Sequence, residues 1–155
     1  MTPPPDDAPR TVPPALRDGV EEGRLIGRGH PAGDLLEAYL WDVLEEGPGR
    51  LKLACHLPDG LRNPRGILFG GFTSTYVDLI AIFTCRAGQD RSARWRWLTT
   101  LNMRLDYVDP IEDDFVVESE LMNERGPVRW VQTRFLDRSG RMLALAWTTL
   151  REMAD

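Results

Sequence analysis

The sequence predicts an α+β domain in which a curved antiparallel sheet of five or six strands wraps around one long central helix, in the order β-β-α-β-β-β-β. Three observations carry this. Residues 71–86 form one continuous run with apolar side chains on almost every helical face. The segments on either side of it switch to a period of two, the spacing of a strand. Short clusters rich in Gly, Pro, Asn and Asp separate those segments as turns. A helix that is apolar nearly all round needs apolar cover on every side, and a strongly curved sheet supplies most of it. What the sheet leaves open falls to a second copy of the chain, so an obligate dimer is expected.

The elements follow in order. Half of the 12 prolines lie within the first 14 residues. That segment can build neither helix nor ladder and is expected to be a disordered tail, leaving 15–155 as a single domain. Residues 15–40 hold weak helical pieces, with "DLLEAYL" (34–40) carrying apolar side chains at helical spacing. "LWDVLEE" (40–46), the turn "GPGR" and "LKLACHLP" (51–58) read as a first hairpin. "DGLRNPRG" (59–66) is a loop. The helix of 71–86 ends with Arg86 in its last turn and Gly88 just beyond. The rest is strand: "WLTTLNMRLDYV" (97–108), "DFVVESELMNE" (114–124), "PVRWVQTRFLD" (127–137) and, after the turn "DRSG", "RMLALAWTTLREM" (141–153). These last four strands are expected to form a meander.

Bulk composition excludes several functions. A chain of 155 residues with 42% hydrophobic and 28% charged residues belongs to the ordinary globular class. The net charge of −5 lacks the basic field a nucleic-acid binder needs. Cys55, Cys85, His30 and His56 are too few and too scattered for a metal centre or a disulfide framework, so no metal is expected. No apolar run reaches the length of a membrane span, and the N-terminus has no signal-peptide pattern. The cytoplasm is the expected location.

One residue breaks the pattern. Asp78 sits in the middle of the apolar helix, where an unpartnered carboxylate costs several kcal/mol. Two roles fit: an ion pair or backbone cap across an interface, or a reactive group kept from bulk water. Gly70 and Gly71 stand at the helix head, where amide N–H groups are unpaired and the dipole is positive. Glycine lets another molecule approach those amides closely, which suits them to a developing oxyanion; a tight turn into a helix is the plainer reading. Asn63 could orient a water or a carbonyl, or make an Asx turn before Pro64. Thr100, on the polar face of the strand after the helix, reads as a surface hydroxyl on its own.

An Asn in a loop, Gly-Gly at a helix start and an Asp on the same helix together resemble the hotdog-fold acyl-CoA thioesterases, in particular their PaaI-type branch. The stretch "NPRGILFGGFTSTYVD" matches that family's pattern in order and spacing, and "TLNMRLDYVDP" is similar to its next strand, which typically ends in Tyr or Phe before Pro. The likeness covers roughly residues 35–152. It implies hydrolysis of an acyl-CoA thioester, with Asp78 as general base or nucleophile and the Gly70 amide polarising the carbonyl. Asn63 would orient water or substrate, and Thr100 would support the carboxylate. Coenzyme A is then part of the substrate, and no separate cofactor is implied. One departure stands out, since the family's His is Phe69 here. That change removes a polar contact and keeps open a non-catalytic acyl-CoA binder on the same scaffold. A hotdog dehydratase is disfavoured, because no His lies between residues 57 and 155.

Spacing also bears on assembly. Eight residues separate Gly70 from Asp78, about 12 Å along a helix axis. A carbonyl sits about 3 Å from its donor and a base must lie within similar reach, so one helix cannot readily bring both groups to one thioester. Two antiparallel helices can, with Gly70 and Asn63 of one chain facing Asp78 and Thr100 of the other. A homodimer, or a dimer of such dimers, is expected. Phe69, Gly71 and Phe72 border the expected substrate site; Phe69, Phe72 and Tyr76 either line an acyl tunnel or pack the core. Arg94 and Arg96, in "CRAGQDRSARWRW", are candidates for the CoA phosphates, although a solvated loop with ordinary surface arginines is the preferred reading.

Overall fold

Strands form where the sequence alternates at period two, and one long helix forms where it does not. The computed structural model describes residues 20–89, 97–123 and 125–153; the Pro-rich segment, Arg94 and Arg96 lie outside them. Helix α1 (Pro31–Leu35) precedes the hairpin of β1 (Asp42–Gly47) and β2 (Arg50–Cys55). Then come α2 (Gly70–Arg86), β3 (Leu98–Tyr107), β4 (Phe115–Leu121), β5 (Val128–Leu136) and β6 (Met142–Glu152). The six strands make one curved antiparallel sheet ordered β1-β2-β4-β5-β6-β3.

The expected meander holds for β4, β5 and β6 only. β3 pairs with β6 at the far edge, and β4 pairs with β2 instead. The reason is the helix: α2 packs against the inner face of β4, β5 and β6, so the chain leaves β2, passes over that face and re-enters the sheet on the opposite side. The helical reading of 34–40 is also corrected. α1 is short, begins at Pro31, and is capped by His30, whose Nδ1 accepts the Gly33 N–H at 3.0 Å. Glu37 then takes a left-handed conformation (φ 50°) that stops the helix, leaving a single tight turn at Ala38–Leu40.

The core lies between α2 and the sheet. Phe115, Val117, Phe135, Ala144 and Ala146 alternate inward from β4, β5 and β6 and meet Tyr76, Val77 and Ile80. Trp41 stacks on Tyr76 with ring centroids 5.3 Å apart, and Tyr76 meets Phe115 edge-on at 5.2 Å. Burial of each such side chain contributes about 1.5–3 kcal/mol. At the far end of α2, Gly88 (φ +74°) lies so close to the β1–β2 turn that a Cβ there would come 2.6 Å from the Pro48 nitrogen. That contact fixes the hairpin against the end of the helix.

Candidate functional site

Two sides of α2 differ in cover. Tyr76, Val77, Ile80, Ala81 and Thr84 are buried, whereas Ser74, Thr75, Asp78, Ile82 and Arg86 are only half-buried and Gly71 is exposed. These last six recur at spacings of three and four, so they form one stripe along the helix. The expectation of a helix without a polar face is therefore corrected: small Gly, Ser and Thr read as neutral in a hydropathy pattern, yet with Asp78 they make a polar seam. Asp78 itself is half-buried within the chain, not enclosed.

Thr100 meets Asp78. Its hydroxyl donates to Asp78 Oδ1 at 2.5 Å. Simple alternation assigned Thr100 to the polar face of its strand, opposite to Met103, Leu105 and Tyr107. The structure places it on the inner face because the β3–β6 register shifts between Thr100 and Asn102. Leu101 is the extra residue of this bulge, so Thr100 faces the same way as its buried neighbour Leu150 on β6 and reaches the helix.

The other predicted groups gather at the head of α2, about 12 Å along its axis from Asp78. Phe69 occupies the capping position in an extended conformation and offers no side-chain acceptor. The Phe72 amide turns back to the Phe69 carbonyl at 2.9 Å, and the Gly70 and Gly71 amides are left without partners inside the helix. Tyr107, noted in the sequence only as a strand-ending aromatic, donates its hydroxyl to the Gly70 carbonyl at 2.5 Å. Beside it lies an open cleft of about 300 Å³ lined by Ile67, Leu68, Thr73, Val108 and Ile111 among others.

Asn63 enters this region through an Asx turn. Its Oδ1 accepts from the Arg65 and Ile67 amides at 2.9 and 3.2 Å, so only Nδ2 is left to meet a ligand. Phe69 is 57% exposed and stands edge-on to Phe72 at 6.0 Å. Phe72 packs partly against the core. Tyr76 is a core residue and not part of a tunnel wall: it is fully buried, and its hydroxyl donates to the His56 carbonyl at 3.0 Å. Trp97, just before β3, is 41% exposed, and its carbonyl accepts from the Met153 amide at 2.8 Å, extending the β3–β6 pairing.

The thiols are poor nucleophiles. Burial raises the Cys55 thiol well above its ordinary value, with Asp114 adding to the effect, and burial pushes Cys85 up to about 11. Both stay protonated at neutral pH, so neither supplies a thiolate nucleophile. Among the described residues, no group of three or more His, Cys, Asp or Glu is arranged to hold a metal ion.

No protein-family model matches the chain, and no curated protein matches its sequence. Solved structures do. The chain is similar to the conserved protein PA5202 from Pseudomonas aeruginosa, with TM-score 0.67 and 16% identity over 81% of this chain and 95% of that one. It is similar to the E. coli PaaI protein from the phenylacetic acid degradation operon, with TM-score 0.66 and 10% identity over 81% and 86%. A hypothetical thioesterase from Streptococcus pneumoniae, solved with coenzyme A, matches at TM-score 0.62 and 15% identity over 74% and 87%. The architecture is the hotdog fold that the sequence resemblance implied.

Proposed function

We propose that this hotdog chain hydrolyses an acyl-CoA thioester to the free acid and CoA, at two equivalent sites shared between two copies. The observation that carries this reading is the Asp78–Thr100 pair, set in the half-covered seam of a helix whose head bears two amides without partners inside the helix. A water oxygen adds to the thioester carbonyl carbon while Asp78 takes one of its protons. The Gly70 amide of the other copy donates to the carbonyl oxygen as that atom gains charge. The C–S bond then breaks, its electron pair leaves on the CoA sulfur, and the proton held by Asp78 neutralises the thiolate. Asp78 acting as nucleophile is the other route for the same residue; it passes through a mixed anhydride, and water that attacks the aspartyl carbon of that anhydride in a single turnover in ¹⁸O-water labels the enzyme carboxylate.

Two features support sharing the site. Gly70 and Asp78 lie too far apart on one helix to serve one carbonyl. The outer edge of the ten-residue β3 carries no further strand among the described residues, and Leu101 on it is 54% exposed. An open edge of that length is a template for pairing with another chain. A CoA ester as the ligand is supported by the coenzyme A bound to the Streptococcus pneumoniae thioesterase. No helix among the described residues is long and apolar enough to cross a membrane, which suits a CoA ester met in water.

Purified protein given a panel of acyl-CoA esters and a thiol-detecting dye should release free thiol, and Asp78→Asn should abolish most of that release. Undiminished release by the variant removes Asp78 from the mechanism. Tight acyl-CoA binding with no thiol from the wild type favours the second reading, a non-catalytic binder, which the apolar Phe69 at the helix head supports.

A further inference from the structure

Tyr107 is a polar group at the helix head to which the hydrolysis above gives no role. Its hydroxyl is bonded to the Gly70 carbonyl oxygen, and that oxygen belongs to the same peptide unit as the Gly71 N–H. An amide whose oxygen accepts a hydrogen bond becomes a stronger donor at its nitrogen, by roughly 10–30% per bond in such chains. The Gly71 N–H is one of the two amides that neither the helix nor the Phe69 side chain engages. Most helices steady their first turn with a capping side chain on the N–H side. Phe69 cannot do this, and Tyr107 grips the same turn from the carbonyl side.

The surroundings favour a functional bond. The Tyr107 ring lies alongside Gly70, where a Cβ would stand 3.5 Å from the phenol oxygen, and it forms part of the wall of the cleft with Ile67, Leu68 and Val108. The Gly71 N–H therefore stands at the edge of a largely apolar cleft, where an incoming carbonyl can reach it.

We infer that Tyr107 is a positioning residue that fixes and polarises the Gly70–Gly71 peptide, so that the Gly71 N–H joins the Gly70 N–H in receiving the thioester oxygen. This rests on the proposed hydrolysis. Tyr107 acts through the peptide, its hydroxyl being committed to the Gly70 carbonyl and not donated to the thioester oxygen. Its loss is therefore expected to cost about fivefold in kcat, well short of the roughly 100- to 1,000-fold lost when a direct oxyanion donor is removed.

The test is Tyr107→Phe in the full chain, which keeps the ring and deletes the hydroxyl. Two quantities are read: the amide ¹H–¹⁵N resonance of Gly71 without substrate, and kcat and KM on an acyl-CoA the wild type turns over. The expected result is an upfield shift at Gly71 that the Ile80 amide does not share, with kcat down about fivefold and KM within about twofold. An unmoved Gly71 resonance overturns the inference, whatever the activity. So does a moved resonance with unchanged kcat, or a loss confined to KM, which is what a purely structural contact would give. Wild-type protein that releases no thiol from any ester overturns the hydrolysis itself and with it any catalytic role for Tyr107. The Gly71 shift, read without substrate, separates that failure from the others.

Discussion

Replacing Thr100 by valine keeps the branched shape of the side chain and deletes one hydroxyl. That hydroxyl makes the 2.5 Å bond to Asp78 Oδ1. Hydrogen bonds to charged groups contribute a net of about 1.5–3 kcal/mol. Thr100 is exposed and Asp78 half-buried, so water competes and the lower end applies, about 1.5 kcal/mol. If the bond serves to hold the carboxylate toward the attacking water, its loss lowers kcat about tenfold, since 1.36 kcal/mol is one decade. Deleting the same bond costs the fold up to about 1.5 kcal/mol, partly offset because valine suits a strand. That bounds the fall in Tm to about 6 °C for a chain of this size. Thiol release under saturating acyl-CoA gives kcat, and a thermal melt gives Tm. Thr100→Val with kcat within twofold of wild type would refute the reasoning. So would Thr100→Val lowering the residual rate of Asp78→Asn as much as it lowers that of the wild type, because the hydroxyl would then act independently of the carboxylate.

Two further outcomes concern the scaffold. Gly88→Ala forces a side chain into a left-handed position and onto the Pro48 backbone; the conformation alone costs about 1–2 kcal/mol, so a thermal melt should fall by at least about 2–4 °C, and an unchanged melt would contradict the packing of the hairpin turn on the helix end. Asp137 is held down to about 2, first by the Ser139 hydroxyl and then by the Arg141 amide. A carboxylate held below its ordinary value stabilises the fold above that value and loses the effect as pH falls through the lowered one. Asp137→Asn should therefore melt lower than wild type from pH 7 to 5, with the gap closing between about pH 4 and pH 2; a gap independent of pH would contradict the assignment.

Much of this architecture was legible in the residues because its signals are local. Period-two runs marked the strands, and Asp78 marked itself by breaking an apolar run. The failures were of two physical kinds. Pairing partners are not local, so nothing in residues 98–107 says that they lie beside β6 and not β4. A bulge adds a residue without changing composition, so Leu101 silently moves Thr100 from the outer face to the inner one and creates the contact with Asp78. Asn63 followed its plainer reading because its Oδ1 finds two amides within its own loop. The Gly70 and Gly71 amides were located correctly, but their tie to Tyr107 spans 37 positions in sequence and leaves no periodic trace. An aromatic ending a strand just before Val-Asp-Pro was the one available hint.

Complementation between two inactive variants tests the shared site most directly. Asp78→Asn removes the base, and Gly70→Pro removes the helix-head amide at a position where proline is well tolerated, after an extended residue. Each variant alone should be nearly inactive. Produced together in equal amounts, they assemble into mixed dimers that make up half the population, each with one intact site of two, so about a quarter of wild-type thiol release should return. Activity no greater than that of the separate variants, in a preparation where mixed dimers are demonstrated, would contradict a site built from two chains.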